Sequence, residues 1–236
     1  MTQYNLSDYH AGVATTDARL EARARRHAAL GDPVRLAIVD ELVRSDRAPV
    51  ELRDRFAIES NLLAHHLDVL EAADLIGRSK SSGDGRRRYV HLLPSALDLL
   101  EPVPPLRPGR VLFVCTANSA RSQLAAALWE QHTGGLAASA GTHPGPAVHP
   151  GAVAAARRVG VSLDGAQPQL LRAGDSRGAL VVTVCDRAHE ELGDTPTRLH
   201  WSVPDPVPTP SRAVFDAAVA DLTERITRVS GTRSAA

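Results

Sequence analysis

The sequence predicts two domains of different class: a small, mainly helical one that ends in a β-hairpin, and an α/β domain built on a parallel sheet. Three observations carry this. Short helix-like stretches run up to Leu75 and give way to the alternating segment Arg88-Tyr89-Val90-His91-Leu92. Pro94, Pro102, Pro104, Pro105 and Pro108 then crowd one stretch of chain. Beyond them strand-like and helix-like segments alternate, the pattern of a parallel sheet covered on both faces.

Residues 1–18 show no periodicity and read as a flexible tail. Residues 19–30 are helical in pattern and rich in Arg. Asp32 is a good N-cap and Pro33 a good first helical residue; Val34, Ile38 and Leu42 give the next helix its apolar face. Ala48-Pro49 opens a short helix with Val50, Leu52 and Phe56 apolar. After a break near Ala57, Ser60 is expected to cap a helix carrying Leu62, Leu63, His66, Leu67 and Leu70 to Leu75. Two short helices joined by a brief turn form a helix-turn-helix candidate. Residues 76–79 and 86–92 then read as a hairpin with a flexible tip at 80–85. Residues 19–93 are thus one domain, mainly α, with a helix-turn-helix and a wing. Residues 94–109 are a semi-rigid Pro-rich linker that includes a short helix at 96–100.

The second domain is expected over residues 110–232. Strands are predicted at 111–114, 136–140, 179–184 and 199–203, and helices at 123–132, 150–159 and 212–229, the last capped by Ser211. Ligands of such sheets sit beyond the carboxyl ends of the strands. Cys115, Cys185 and Asp205 all fall at such ends.

The totals set limits. The chain has 236 residues, room for two modest domains. Its formal net charge is zero, so no global basic field points to nucleic acid, and a local patch must do that work. No apolar run approaches the roughly 20 residues of a membrane span, and the polar N-terminus has no signal-peptide core, so the expected location is cytoplasmic. Cys115 and Cys185 are the two cysteines. In a cytosolic chain they are inert core thiols or chemistry, not a disulfide framework.

The stretch from Val111 to Ser122 organises the second domain. An apolar strand ends at Cys115, a tight loop follows, and Arg121-Ser122 opens a helix. Loop N–H groups and a helix N-terminus aimed at one point suit a tetrahedral oxyanion. The same positive field favours the thiolate of a cysteine placed there. Arg121 can add a two-pronged contact to the anion.

Residues 24–93 resemble an ArsR-type winged-helix repressor. The resemblance rests on Leu30-Gly31-Asp32-Pro33-Val34-Arg35-Leu36, on His65-His66-Leu67-Asp68-Val69-Leu70-Glu71-Ala72-Ala73-Asp74-Leu75-Ile76, and on Gly85-Arg86-Arg87-Arg88-Tyr89. It implies a homodimer, joined through this domain, whose recognition helices enter successive major grooves of operator DNA. Ser60, Asn61 and His65 would face base edges; Arg78, Lys80, Arg86, Arg87 and Arg88 would face phosphates. The arsenic-sensing members carry a cysteine pair in the first helix of the motif. Arg47-Ala48-Pro49-Val50-Glu51-Leu52 has no thiol, so that sensor is absent here. No metal site is expected: neighbours such as His65 and His66 point about 100° apart on a helix, so one packs and the other faces outward.

Residues 110–230 resemble the low-molecular-weight protein tyrosine phosphatase fold, and within it the arsenate reductases. Cys115-Thr116-Ala117-Asn118-Ser119-Ala120-Arg121-Ser122-Gln123 carries most of this, with Ala140-Gly141-Thr142, Val148-His149-Pro150, Val182-Thr183-Val184-Cys185 and His200-Trp201-Ser202-Val203-Pro204-Asp205-Pro206. The phosphatases usually place a Tyr pair after the Asp-Pro; Val207 and Pro208 stand here, so a phosphotyrosine grip is poorly supplied. The resemblance implies an arsenate reductase with Cys115 as nucleophile. Thr116, Ala117, Asn118, Ser119, Ala120, Arg121 and Ser122 would hold the oxyanion, and Asp205 would be the general acid. Asn118 would keep the loop's shape, since Asn tolerates left-handed geometry. Cys185 would be the second thiol, attacking the Cys115 adduct to leave a disulfide. The thioredoxin-linked reductases carry a further cysteine some residues later, which is missing here, so either a Cys115–Cys185 disulfide is reduced directly or a small thiol such as mycothiol or glutathione attacks the adduct. The expectation is no bound cofactor and an external thiol reductant, from a thioredoxin, mycothiol or glutathione system. Two alternatives stay open: a second domain that only senses oxyanion, arsenite or thiol oxidation, and a small-substrate phosphatase.

Overall fold

The computed structural model describes residues 18–97, 104–195 and 197–231. The predicted tail therefore lies outside the described residues, apart from Ala18, which already belongs to a helix. So do part of the linker, the end of the 96–100 helix and Thr232.

The first domain contains α1 (Ala18–Leu30), α2 (Pro33–Arg44), α3 (Pro49–Phe56) and α4 (Ser60–Ala72), followed by β1 (Ile76–Lys80) and β2 (Arg88–Leu92). Asp32 caps α2, accepting from the amides of Val34 and Arg35 at 2.9 and 3.0 Å. Ala48 offers α3 no side-chain cap; the Glu51 carboxylate reaches back to its N–H at 2.9 Å instead. The cap expected at Ser60 is not there. Glu59 holds the N-cap position, without a side-chain bond, and Ser60 is the first helical residue. Ala57, at φ 51°, makes the sharp turn between the two helices. Ile38, Leu42, Leu52, Leu67, Leu70 and Val90 close a core of their own.

The second domain follows α5 (Pro94–Leu97) and the linker. It contains β3 (Arg110–Cys115), α6 (Arg121–Thr133), β4 (Leu136–Gly141), α7 (Pro150–Arg158), β5 (Leu180–Thr183), α8 (Asp186–Leu192), β6 (Arg198–His200) and α9 (Arg212–Ser230). The sheet has the order β4-β3-β5-β6 and every pairing is parallel. Phe113, Trp129, Val182, Trp201, Phe215 and Leu222 fill the second core. α8 was not anticipated, and β6 is shorter than its prediction.

The two domains are docked along a polar seam. Ser45 and Asp46, at the end of α2, run beside β6: the Asp46 N–H donates to the His200 carbonyl at 2.7 Å, and the Ser202 N–H donates to the Asp46 carboxylate at 2.7 Å. Arg225 of α9 bonds both Asp46 oxygens at 2.9 Å. Burial alone would raise the Asp46 carboxyl, yet the guanidinium outweighs it and holds the group below the usual range. Trp201 donates its indole N–H to the Arg44 carbonyl at 3.0 Å. Further along, the wing meets α8. Asp186 accepts from the N–H and the hydroxyl of Ser82, at 2.7 and 3.1 Å, and Glu190 accepts from Ser81 and from the Asp84 N–H, both at 2.7 Å.

Candidate active site

The loop after β3 is built around Asn118. Its φ of 49° is left-handed, a conformation Asn accepts more readily than most residues. Its side chain makes three hydrogen bonds: Nδ2 donates to Ser122 Oγ at 2.8 Å, and Oδ1 accepts from the Gln169 N–H at 2.8 Å and from Gln123 Nε2 at 3.0 Å. Gly141, at the end of β4, lets the loop close down, since a Cβ there would lie 2.7 Å from the Thr116 carbonyl. These contacts fix the loop before any ligand arrives, which is what an anion cradle requires.

Cys115 Sγ is buried and receives the Asn118 N–H at 3.2 Å. Ser122 Oγ lies 3.0 Å away. Because that hydroxyl already accepts from Asn118, its own proton is free to point at the sulfur, where it stabilises a thiolate. Arg121, the first residue of α6, is 7% exposed. It donates to the Val203 carbonyl at 3.0 Å and pairs with Asp205 at 2.9 Å. Asp205 also accepts from the Val207 N–H at 3.1 Å.

Cys185 sits two residues beyond β5, at the N-cap of α8, where its sulfur accepts from the Ala188 N–H at 3.4 Å. It also accepts from the Thr116 N–H at 3.2 Å. Burial pushes its thiol up from the ordinary value, against the pull of Arg121. Both cysteines open onto one cavity of about 240 Å³, with Thr116, Ala117, Ser119, Ala120, Arg121, Asp205 and Val207 around them. Asn118 and Ser122 lie behind the loop, fully buried, rather than on the cavity wall. A larger hollow of about 920 Å³ along α9, beside Val159, Val219 and Thr227, is lined by no cysteine, serine or histidine among the described residues. The small polar cavity is where chemistry can occur.

Two residues of that cavity were not anticipated: Arg187, from α8, and Ser82, from the wing of the first domain. Gln123, quoted in the motif without a role, ties the loop to the Gln167 carbonyl at 3.1 Å.

On the first domain, Ser60, Asn61 and His65 lie exposed at the start and along one face of α4, while His66 is buried. Lys80, Arg86, Arg87 and Arg88 are exposed on the wing. Arg78 is bound to α4 of its own domain, 2.6 Å from Asp68 and 3.2 Å from Glu71. Among the described residues, Glu51, His189 and Asp194 bring metal-ligating atoms within 4.8 Å of one another. A cation is already supplied there: Arg47 pairs with Asp194 at 3.0 Å and with Glu41 at 2.8 Å. Among the described residues no helix is long and apolar enough to cross a membrane.

A model of the low molecular weight phosphotyrosine protein phosphatases matches residues 110–232, more than half of the chain. The chain belongs to this family. A helix-turn-helix domain model matches residues 30–76, so an ArsR-type DNA-binding domain precedes the phosphatase-type one. Arsenate reductase 2 of Bacillus cereus is 33% identical over 128 residues, covering 52% of this chain and 94% of its own length. The arsenate reductase of Brevibacillus brevis is 33% identical over 102 residues, 41% of this chain and 75% of that protein. Among solved structures, the tyrosine phosphatase AmsI of Erwinia amylovora aligns with a TM-score of 0.47 at 23% identity, over 55% of this chain and 95% of its own.

Proposed function

We propose that the chain is a DNA-binding regulator fused to a thiol-dependent arsenate reductase. The observation that carries the reductase reading is the second thiol: Cys185 opens onto the same small polar cavity as Cys115 and Arg121. Hydrolysis needs one nucleophile and water, whereas a two-electron reduction needs two thiols. The relatives named above, arsenate reductases matching nearly the whole second domain, support the same choice.

The residues assign the steps. Arsenate enters with its oxygens on Arg121 and on the N-terminus of α6. The anion takes the guanidinium from Asp205 and leaves that carboxyl beside the departing oxygen. The Cys115 thiolate attacks arsenic while Asp205 protonates the departing oxygen, which leaves as water. Cys185 then gives its proton to an oxygen of the departing arsenic group, and its sulfur attacks the Cys115 sulfur. The S–As bond breaks with its electron pair going to arsenic, arsenite leaves, and a Cys115–Cys185 disulfide remains. Arsenic gains two electrons and the two thiols lose them. An external thiol system, from thioredoxin, mycothiol or glutathione, restores the pair.

The first domain binds operator DNA as a homodimer, with Ser60, Asn61 and His65 toward bases and Lys80, Arg86, Arg87 and Arg88 toward phosphates; Arg78 serves mainly to brace α4. The docking of the wing on α8 favours a second reading, in which the second domain also reports oxyanion or thiol state to the DNA-binding one. Purified protein supplied with arsenate and each thiol system should yield arsenite. No arsenite with any of the three removes the reductase. Turnover of p-nitrophenyl phosphate far above arsenate reduction would put a small-substrate phosphatase in its place.

A further inference from the structure

The wing of the DNA-binding domain reaches the mouth of the anion cavity. Ser82 is part of the cavity wall, although it belongs to the turn between β1 and β2. Its position is enforced from several directions. Asp186 of α8 holds both its N–H and its hydroxyl. Glu190, one turn further along the helix, holds Ser81 and Asp84 on either side of it. Asp186 is itself kept ionised despite burial: His200, 3.2 Å away, and the Ser82 N–H bring its carboxyl down to about 2. Gly83 has no room for a side chain, because a Cβ would lie 2.7 Å from Arg187 Cα and 2.9 Å from Arg187 N. Those are backbone atoms that cannot swing aside, so this glycine serves close approach rather than flexibility.

On another part of the same wall stands Val207, where an aromatic grip is missing. The cavity holds about 240 Å³, and the part of its wall that the second domain does not supply comes from the wing. We propose that the wing tip, residues 81–84, sets the size selectivity of the Cys115 cavity, admitting a free inorganic oxyanion and excluding phosphate carried on a bulky group. This rests on the reading of the cavity as an oxyanion site at Cys115. A wing drawn away, toward DNA or by a substitution, would leave the cavity open on the α8 side.

The test uses the full-length chain and two variants that break the contact from opposite sides, Gly83→Val on the wing and Glu190→Ala on α8. Two thiol reagents of different size, iodoacetamide and a fluorescein maleimide, are applied separately, and labelling of Cys115 is followed by mass spectrometry of its peptide. The ratio of maleimide to iodoacetamide rates should rise at least about 10-fold in both variants. In parallel, kcat/KM for naphthyl phosphate relative to arsenate should rise by a similar factor. If both ratios match the parent protein in the two variants, the proposal is overturned while the oxyanion reading stands. If arsenate and phosphate fail to protect Cys115 from iodoacetamide in the parent protein, the oxyanion reading itself fails. A variant that does not fold is recognised by loss of its cooperative melting transition, and the other then decides.

Discussion

The carboxyl ends of β3 and β5 lie side by side, with Cys115 the last residue of one and Cys185 two residues beyond the other, and the two thiols are placed for different work. Cys115 meets an amide and a hydroxyl proton, and the loop around it is locked by Asn118 and Gln123. Cys185 meets the Thr116 N–H, caps a seven-residue helix, and is pushed toward the neutral thiol by burial. One end is prepared to carry charge and attack. The other is tied to the part of the protein that faces the DNA-binding domain, because α8 holds residues 81–84 through Asp186 and Glu190 and pairs His189 with Glu51 of α3 at 2.9 Å. The contrast shows how one sheet can present two identical functional groups in unlike roles: at one end the loop adds a hydroxyl proton to the sulfur, at the other burial in the second core pushes the thiol up.

The comparison can be broken at several points. The largest effect belongs to Cys115→Ser, which should lower arsenate reduction by at least about 1000-fold, since Cys115 is the thiol that the loop amide and the Ser122 hydroxyl prepare for attack; an arsenite assay with a coupled thiol system checks it. Arg121→Lys should cost about 100-fold in kcat/KM through loss of the two-pronged anion contact, measured against arsenate over a concentration series. Cys185→Ser should stop turnover after an arsenic adduct has formed on Cys115, so intact-mass analysis should find arsenic retained on the protein. Unchanged turnover would reduce Cys185 to a helix cap. Ser122→Ala should slow alkylation of Cys115 at neutral pH by about 10-fold, the scale of one charge-assisted hydrogen bond.

The smallest effect is a pH dependence from the seam. Burial holds His200 below its ordinary value of 6.5, opposed by Asp186. Below pH 6.5 the unfolded chain therefore takes up a proton at His200 that the folded chain refuses, and stability falls as the pH falls. The slope contributed by this one group is at most about 1.4 kcal/mol per pH unit. Urea midpoints at pH 7.5 and 5.5 should separate in the parent protein and draw closer in His200→Asn.

Much of this was legible in the residues. The β3 stretch and its Cys-x5-Arg-Ser motif name their chemistry because an anion loop needs those groups in that order, and the left-handed turn at Asn118 follows from the side chain. The helix-turn-helix is marked by apolar spacing, which places Ile38, Leu52 and Leu67 in a core. α8 was hidden for a physical reason: its inward residues include Asp186 and His189, polar groups that pack against the other domain, so no apolar period marks it. The wing tip reads as a flexible turn in the sequence because Ser-Ser-Gly-Asp looks alike whether it is loose or pinned by carboxylates far along the chain. The ion pairs of Arg78 are not legible in the sequence, because its partners, Asp68 and Glu71, become neighbours only when β1 folds back on α4.

The most direct test of the central claim is a single turnover without added thiol. Fully reduced protein mixed with arsenate should release one arsenite per chain and acquire a Cys115–Cys185 disulfide, identified by mass spectrometry of the linked peptides. Arsenite formed with both thiols still free, or no arsenite while p-nitrophenyl phosphate is hydrolysed, would contradict the account.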